Sequence, residues 1–178
     1  MSGEAAAAGR WHGLALLALA GLGNLRGAES AIERAIMATM TRLERSIRDA
    51  FERLEAQGVI AAYLFGSHAR GAAHRESDVD VGVILDYGVH ATRAARFTER
   101  VRLASELIGA LHVNTVDLVV LNDAPPLLAR RVLLDGRQVY CDDVDADRDF
   151  RRDTLLRAAD LEPFLVRMQS LKVDALAR

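Results

Sequence analysis

Apolar residues recur along the chain in two periods, and each change of period marks a new element. Ser30 followed three residues later by Glu33 has the form of a capping box, and Ile32, Ile36, Met40, Leu43, Ile47, Phe51 and Leu54 then recur at steps of three or four. This spacing predicts one amphipathic helix, stopped by Gly58. Val59 to Phe65 is an apolar run of strand length and predicts a buried strand. After the Gly66 to Ser77 connection, Val79, Val81, Val83 and Ile84 predict a second strand, ended by Asp86, Tyr87 and Gly88. Ala91 to Leu111 predicts a second long helix carrying Phe97, Val101, Leu103, Leu107 and Ile108, with an arginine-rich face that reads as solvated surface.

Val116 to Leu121 predicts a third strand, and Asn122 to Pro126 breaks it and starts a helix through Leu134 that Gly136 stops. Val139 and Tyr140 suit a fourth short strand, and Asp142 to Asp149 reads as a polar loop. Phe150, Leu155, Leu156, Ala159, Leu161, Phe164, Leu165 and Met168 then mark a C-terminal helix with a kink or break expected at Pro163. The expected fold class is α/β of the α+β kind: a small mixed sheet of about three to four strands flanked by helices.

Composition narrows this picture. A chain of 178 residues, 51% of them hydrophobic, suits one domain with a real core, and no repeat or linker after residue 30 suggests a second. Residues 1–28, rich in Ala, Gly and Leu, read as a weakly structured extension or the product of an upstream start, with Met37 and Met40 as candidate starts and the domain taking 29–178. Leu14 to Leu22 is too short to span a bilayer, and Glu4 sits where a secretory leader is basic. The single cysteine, Cys141, excludes an intramolecular disulfide and a cysteine-rich zinc site, reads as a buried strand-end thiol, and fits a reducing, cytoplasmic compartment. A net charge of -2 gives no reason to expect direct nucleic-acid binding. His68, His74 and His112 lack metal-ligand spacing and read as exposed or loosely structural, and Arg148, Arg151, Arg152 and Arg157 read as a solvated helix face.

The chemistry concentrates between residues 66 and 80. Gly66 at a strand end lets the backbone approach a phosphate closely, Ser67 adds a hydroxyl, and the following turn directs free N–H groups at an anion. Asp78 and Asp80, two residues apart at a strand, project from one face while Val79 and Val81 point to the core. Paired carboxylates repel unless a cation lies between them, and Mg²⁺ prefers oxygen ligands shared with substrate phosphates. Asp117, opening the third strand, supplies a further carboxylate that on a neighbouring strand completes a site for two Mg²⁺ ions and accepts the proton of an incoming hydroxyl.

Gly66-Ser67, ten intervening residues and then Asp78-Val79-Asp80-Val81 resemble the hallmark of the DNA polymerase β-type nucleotidyltransferase superfamily. Within it, Gly66-Ser67-His68-Ala69-Arg70-Gly71 and Ser77-Asp78-Val79-Asp80 resemble the motifs of the minimal nucleotidyltransferase (MNT) group, and Val116 to Leu128 resembles that group's third-carboxylate strand and following helix. The likeness covers roughly Arg42 to Lys172. It implies a nucleotidyltransferase fold, Asp78 and Asp80 as ligands of both Mg²⁺ ions, Asp117 as the third carboxylate, and ATP as substrate. Gly66 and Ser67 would hold its β and γ phosphates, with Arg70 and Ser77 beside the nucleotide.

Proteins of this size in the MNT group resemble antitoxins paired with HEPN ribonuclease toxins, which implies AMP transfer to a toxin tyrosine. A rival within enzymes is nucleotidylation of a small molecule such as an aminoglycoside, and a rival of another class is a non-catalytic partner that covers a toxin. The residues before Arg42 depart from the family pattern.

Overall fold

Thr41, rather than Ser30, opens the first described helix. The computed structural model describes residues 40–54, 57–74 and 77–176, so the 1–28 extension, Leu14 to Leu22 and the Ser30 and Glu33 pair lie outside the described residues. Thr41 is extended, its hydroxyl accepts from the Glu44 N–H at 3.2 Å, and the Glu44 carboxylate accepts from the Thr41 N–H at 2.7 Å. That reciprocal cap starts helix α1 (Arg42–Arg53), so the helix expected from Ser30 to Leu54 does not run through Thr41 as one piece. The apolar period continues across the break because Met40 and Ile47 are buried in the same cluster. Gly58, at φ 75°, provides the left-handed turn before the sheet.

The sheet has four strands in the order β3-β2-β1-β4, with β1 (Val59–Phe65), β2 (Val79–Leu85), β3 (Val116–Val120) and β4 (Arg137–Cys141). Strand β1 runs antiparallel to both β2 and β4, while β2 and β3 are parallel. The parallel pair needs a crossover, which helix α3 (Arg93–Leu111) supplies. A short turn of helix, α2 (Gly66–Ala69), follows β1; α4 (Pro126–Asp135) precedes β4, and α5 (Val144–Leu176) follows it.

Alternation along each strand sends side chains to two apolar layers. Ala62, Leu64, Val79, Val81, Val83 and Leu118 pack with Ile47 and Phe51 of α1 and Leu103 and Leu107 of α3. On the opposite face Ala61, Tyr63 and Ile84 pack with Ala129, Val132 and Leu133 of α4. The second face is tightly covered at its centre: a Cβ on Gly82 would lie 2.8 Å from the Val132 Cγ1. Helix α5 is tied to this face by Tyr63, whose hydroxyl bonds to the buried Asp147 and accepts from Gln138 at 3.1 Å and Arg151 at 3.3 Å. Arg151 of the basic set expected to be solvated therefore faces a ring, and burial raises the Asp147 carboxyl above the ordinary range.

Three expectations are corrected. The polar loop from Asp142 to Asp149 is already helix from Val144, because the Asp143 carboxylate accepts from the N–H groups of Asp145 and Ala146 at 3.1 and 2.9 Å. Helix α5 is not broken at Pro163, which lies inside it; Pro163 is exposed, so the one lost backbone bond opens toward water. The arginine-rich face of α3 is not uniformly solvated: Arg96 is buried and grips Asp123 with two bonds of 2.9 and 2.7 Å. Cys141 is buried at the end of β4, as expected, and burial pushes its thiol up to about 12.

Candidate functional site

Strand register brings together residues far apart in sequence. Phe65 pairs with Asp80, and Asp80 pairs with Asp117, so one row across β1, β2 and β3 carries the end of the first strand and two carboxylates. Neighbouring strands lie about 5 Å apart, which makes Asp80 and Asp117 adjacent. Both face the α4 side of the sheet, along with Gly82 and Ile84, but beyond the part that α4 covers; Asp80 is half-buried and Asp117 exposed. Asp78 precedes β2 by one residue, shares the side of Asp80, and is exposed.

Gly66 turns the chain away from β1 with φ 69°. A Cβ at this position would overlap the Asp80 Oδ2 and come within 2.7 Å of the Asp80 Cγ. Glycine is therefore required twice, by the left-handed backbone and by the carboxylate lying against it. Ser67 follows in the first turn of α2, whose opening N–H groups have no partner within the helix. Gly66, Ser67 and Asp80 thus share one surface.

The connection from Ser67 to Asp78 is closed on itself. Ala72 N–H donates to the Ser67 carbonyl at 3.0 Å, the Ser77 hydroxyl accepts from the His74 N–H at 2.8 Å, and the His68 Nε2 donates to the Ser77 carbonyl at 3.2 Å. His68 is half-buried and ties the glycine-serine turn to the residue before Asp78, so it is not the loosely structural side chain expected from its spacing. Its position between Ser67 and Ala69 was the available signal. Ser77 shares in the same closure through its hydroxyl, its carbonyl and its N–H, which donates to the His74 carbonyl at 3.0 Å, while Arg70 ends α2 and is exposed.

Charge in the row is unbalanced toward the negative. The Asp80 carboxyl is raised above its ordinary range first by desolvation and then by Asp117 and Asp78, against the lowering influence of His68 and Arg70. Two residues outside the expected set adjoin the acids. The Thr115 hydroxyl bonds to the Asp78 Oδ1, and Arg100 donates to the Leu118 carbonyl at 2.6 Å while its guanidinium lies 3.9 Å from the Asp117 Oδ1. Among the described residues no group of three or more His, Cys, Asp or Glu side chains is placed to hold a metal ion by itself. Adjacent carboxylates whose mutual repulsion raises a pKa still fit a hard cation that takes its remaining oxygens from a substrate.

Comparisons with known proteins place the chain in a family. Residues 46–145, which contain Gly66, Asp78, Asp80 and Asp117, match the family model described as polymerase beta, nucleotidyltransferase. The protein adenylyltransferase MntA of Shewanella oneidensis is 37% identical over 78 residues, 44% of this chain and 51% of that protein, so the chain matches about half the length of this curated relative. A crystal structure of a toxin-antitoxin with AMP-PNP superposes with a TM-score of 0.57 at 28% identity, covering 75% of this chain and 98% of the other. A mutant of the toxin-antitoxin MntA-HpeT superposes equally, with a TM-score of 0.57 at 27% identity over 75% and 98% of the two chains. Among the described residues no helix is long and apolar enough to cross a membrane.

Proposed function

The chain belongs to the polymerase beta nucleotidyltransferase family, and from that premise we propose that it transfers AMP from ATP to a hydroxyl of a partner protein, acting as the antitoxin of a toxin pair. The observation that carries this reading is the row of Phe65, Asp80 and Asp117 with Gly66 against the Asp80 carboxylate, which sets a phosphate-approachable backbone beside adjacent carboxylates. The names of similar proteins, an adenylyltransferase and toxin-antitoxin pairs, support AMP as the group and a toxin as acceptor. A HEPN toxin tyrosine is the acceptor that the MNT resemblance implies.

Asp78, Asp80 and Asp117 are the residues that would hold two Mg²⁺ ions. Bound there, Mg²⁺ offsets the carboxylate charge, steadies the triphosphate and makes the acceptor hydroxyl more acidic. Gly66 and Ser67 hold the β and γ phosphates through backbone N–H groups and the serine hydroxyl. Arg70 lies on the same loop and offers its charge to the nucleotide. Asp117, the most solvated edge of the row, takes the proton of the acceptor hydroxyl on its carboxylate. The acceptor oxygen then forms its bond to the α phosphorus, the bond from that phosphorus to the bridging oxygen breaks, and pyrophosphate leaves with the electron pair.

The test uses ATP labelled in the α phosphate, Mg²⁺ and the toxin encoded beside this chain. The wild-type chain labels the toxin, whereas Asp78→Ala with Asp80→Ala gives no label and no longer relieves toxicity. Undiminished relief by that double variant would show that covering the toxin suffices.

A further inference from the structure

A cavity lies at the β3 edge of the sheet, next to the row of carboxylates. Its volume is about 220 Å³, and its walls include Arg93, Phe97 and Arg100 of α3, Val119 of β3, and Asp123 and Leu128 around the start of α4. The bidentate Arg96 to Asp123 pair fixes one wall to the other, and the Arg100 bond to the Leu118 carbonyl fixes α3 to the strand edge. The frame is polar and pre-formed, whereas the apolar walls are open to solvent: Phe97 is 60% exposed and Leu128 37%. A large aromatic left uncovered at a cavity mouth is the usual form of an anchor site for a partner side chain.

Volume selects the occupant. An engineered protein cavity of about 150 Å³ takes benzene, and sites for whole small ligands run from about 300 to 1,000 Å³. The enclosed 220 Å³ suits one substituted ring, whereas a nucleotide or an aminoglycoside would have to extend beyond it into solvent. Arg100 lines this cavity and also approaches the Asp117 Oδ1 at 3.9 Å, so whatever enters lies beside the third carboxylate. We propose that this cavity anchors one aromatic side chain of the acceptor protein, seated on Phe97, Val119 and Leu128, and so docks the acceptor against Asp117. The identity of the occupant as acceptor rests on the function proposed above; the selectivity for a single ring rests on the cavity alone.

The probe is para-cresol, the tyrosine side chain as a free molecule, titrated into the full chain while the methyl resonances of Val119 and Leu128 are followed by NMR. Both move saturably, with a dissociation constant on the order of 1 mM for so small a ligand. Adenosine and kanamycin at the same concentration leave them unmoved. Ala124→Trp, which fills the cavity from a lining position, weakens para-cresol at least tenfold. Phe97→Ala, at an exposed helix position where folding is not at risk, weakens it by about fivefold or more. Absence of saturable shifts, an unchanged dissociation constant in Phe97→Ala, or a preference for adenosine would each overturn the proposal. Because this readout involves no transfer of AMP, its failure is distinct from failure of the labelling reaction. With the toxin as acceptor, Phe97→Ala raises KM for the toxin and leaves KM for ATP unchanged, and the opposite split would place the cavity on the nucleotide side.

Discussion

Replacing Gly66 by alanine perturbs the row of candidate residues at its tightest point. The backbone there has φ 69°, and a left-handed conformation costs a non-glycine residue about 1–2 kcal/mol. The added Cβ also overlaps the Asp80 Oδ2, so the carboxylate must leave its present rotamer, at a further cost of about 0.5–1.5 kcal/mol. The sum is about 1.5–3.5 kcal/mol, which for a domain of this size lowers Tm by roughly 3–14 °C. Activity falls further than stability, because displacing a reacting group by about 1 Å costs on the order of a hundredfold in rate. Gly71 is the internal control: it too is left-handed, at φ 68°, but a Cβ there meets nothing within 4 Å. Gly71→Ala is therefore expected to lose about 1–2 kcal/mol and keep its transfer rate. Differential scanning calorimetry and AMP transfer at saturating ATP, measured below the transition of both variants, decide the matter. Equal stability and equal rates in the two variants would refute the claim that Gly66 exists to admit the Asp80 carboxylate.

Other parts of the structure make their own predictions. Removal of the buried guanidinium in Arg96→Gln should cost about 2 kcal/mol by urea denaturation, since it strands a partly buried Asp123. Arg96 holds the Asp123 carboxyl below its ordinary range, so this contribution is present above the ordinary carboxylate pKa of about 4 and disappears as pH falls through the lowered value. The stability gap between wild type and Arg96→Gln should thus be full at neutral pH and shrink in acid, and a gap independent of pH would count against the pairing. His68→Ala should raise KM for ATP several-fold by freeing the Ser77 carbonyl, with His68→Gln recovering much of the loss because its amide can donate in place of Nε2; equal losses in both would remove the clamp role. Thr41→Ala should cost about 1 kcal/mol of stability through loss of the capping box, read by thermal denaturation, with transfer kinetics unchanged.

Much of this molecule is legible where local chemistry decides the outcome. Val59 to Phe65 is a strand with those bounds because an apolar run is closed by Gly58 and Gly66, and Pro126 and Gly136 bracket α4 for equally local reasons. Thr41 was hidden because the apolar period continues on both sides of it, so the break in backbone leaves no break in pattern. Asp143 was hidden within a run of acids that reads as loop until one carboxylate is seen to bond the N–H groups ahead of it. The candidate site divides in the same way. Gly66, Asp78 and Asp80 announce themselves by spacing, whereas the adjacency of Asp80 and Asp117 depends on a parallel register set by the crossover helix. The roles of Thr115 and Arg100 are set by tertiary contacts over 37 and 18 residues of sequence, beyond the reach of any local pattern, while His68 bonds across 9 residues and is signalled only by its place beside Ser67.

If Gly66, Asp78, Asp80 and Asp117 perform AMP transfer to a protein, intact-mass spectrometry of the toxin partner after incubation with ATP, Mg²⁺ and this chain measures it directly. The expected result is a mass gain of one or more whole AMP units with the wild-type chain and none with Asp80→Asn or Asp117→Asn. An unmodified partner with the wild-type chain, or an equal gain with either variant, would contradict it.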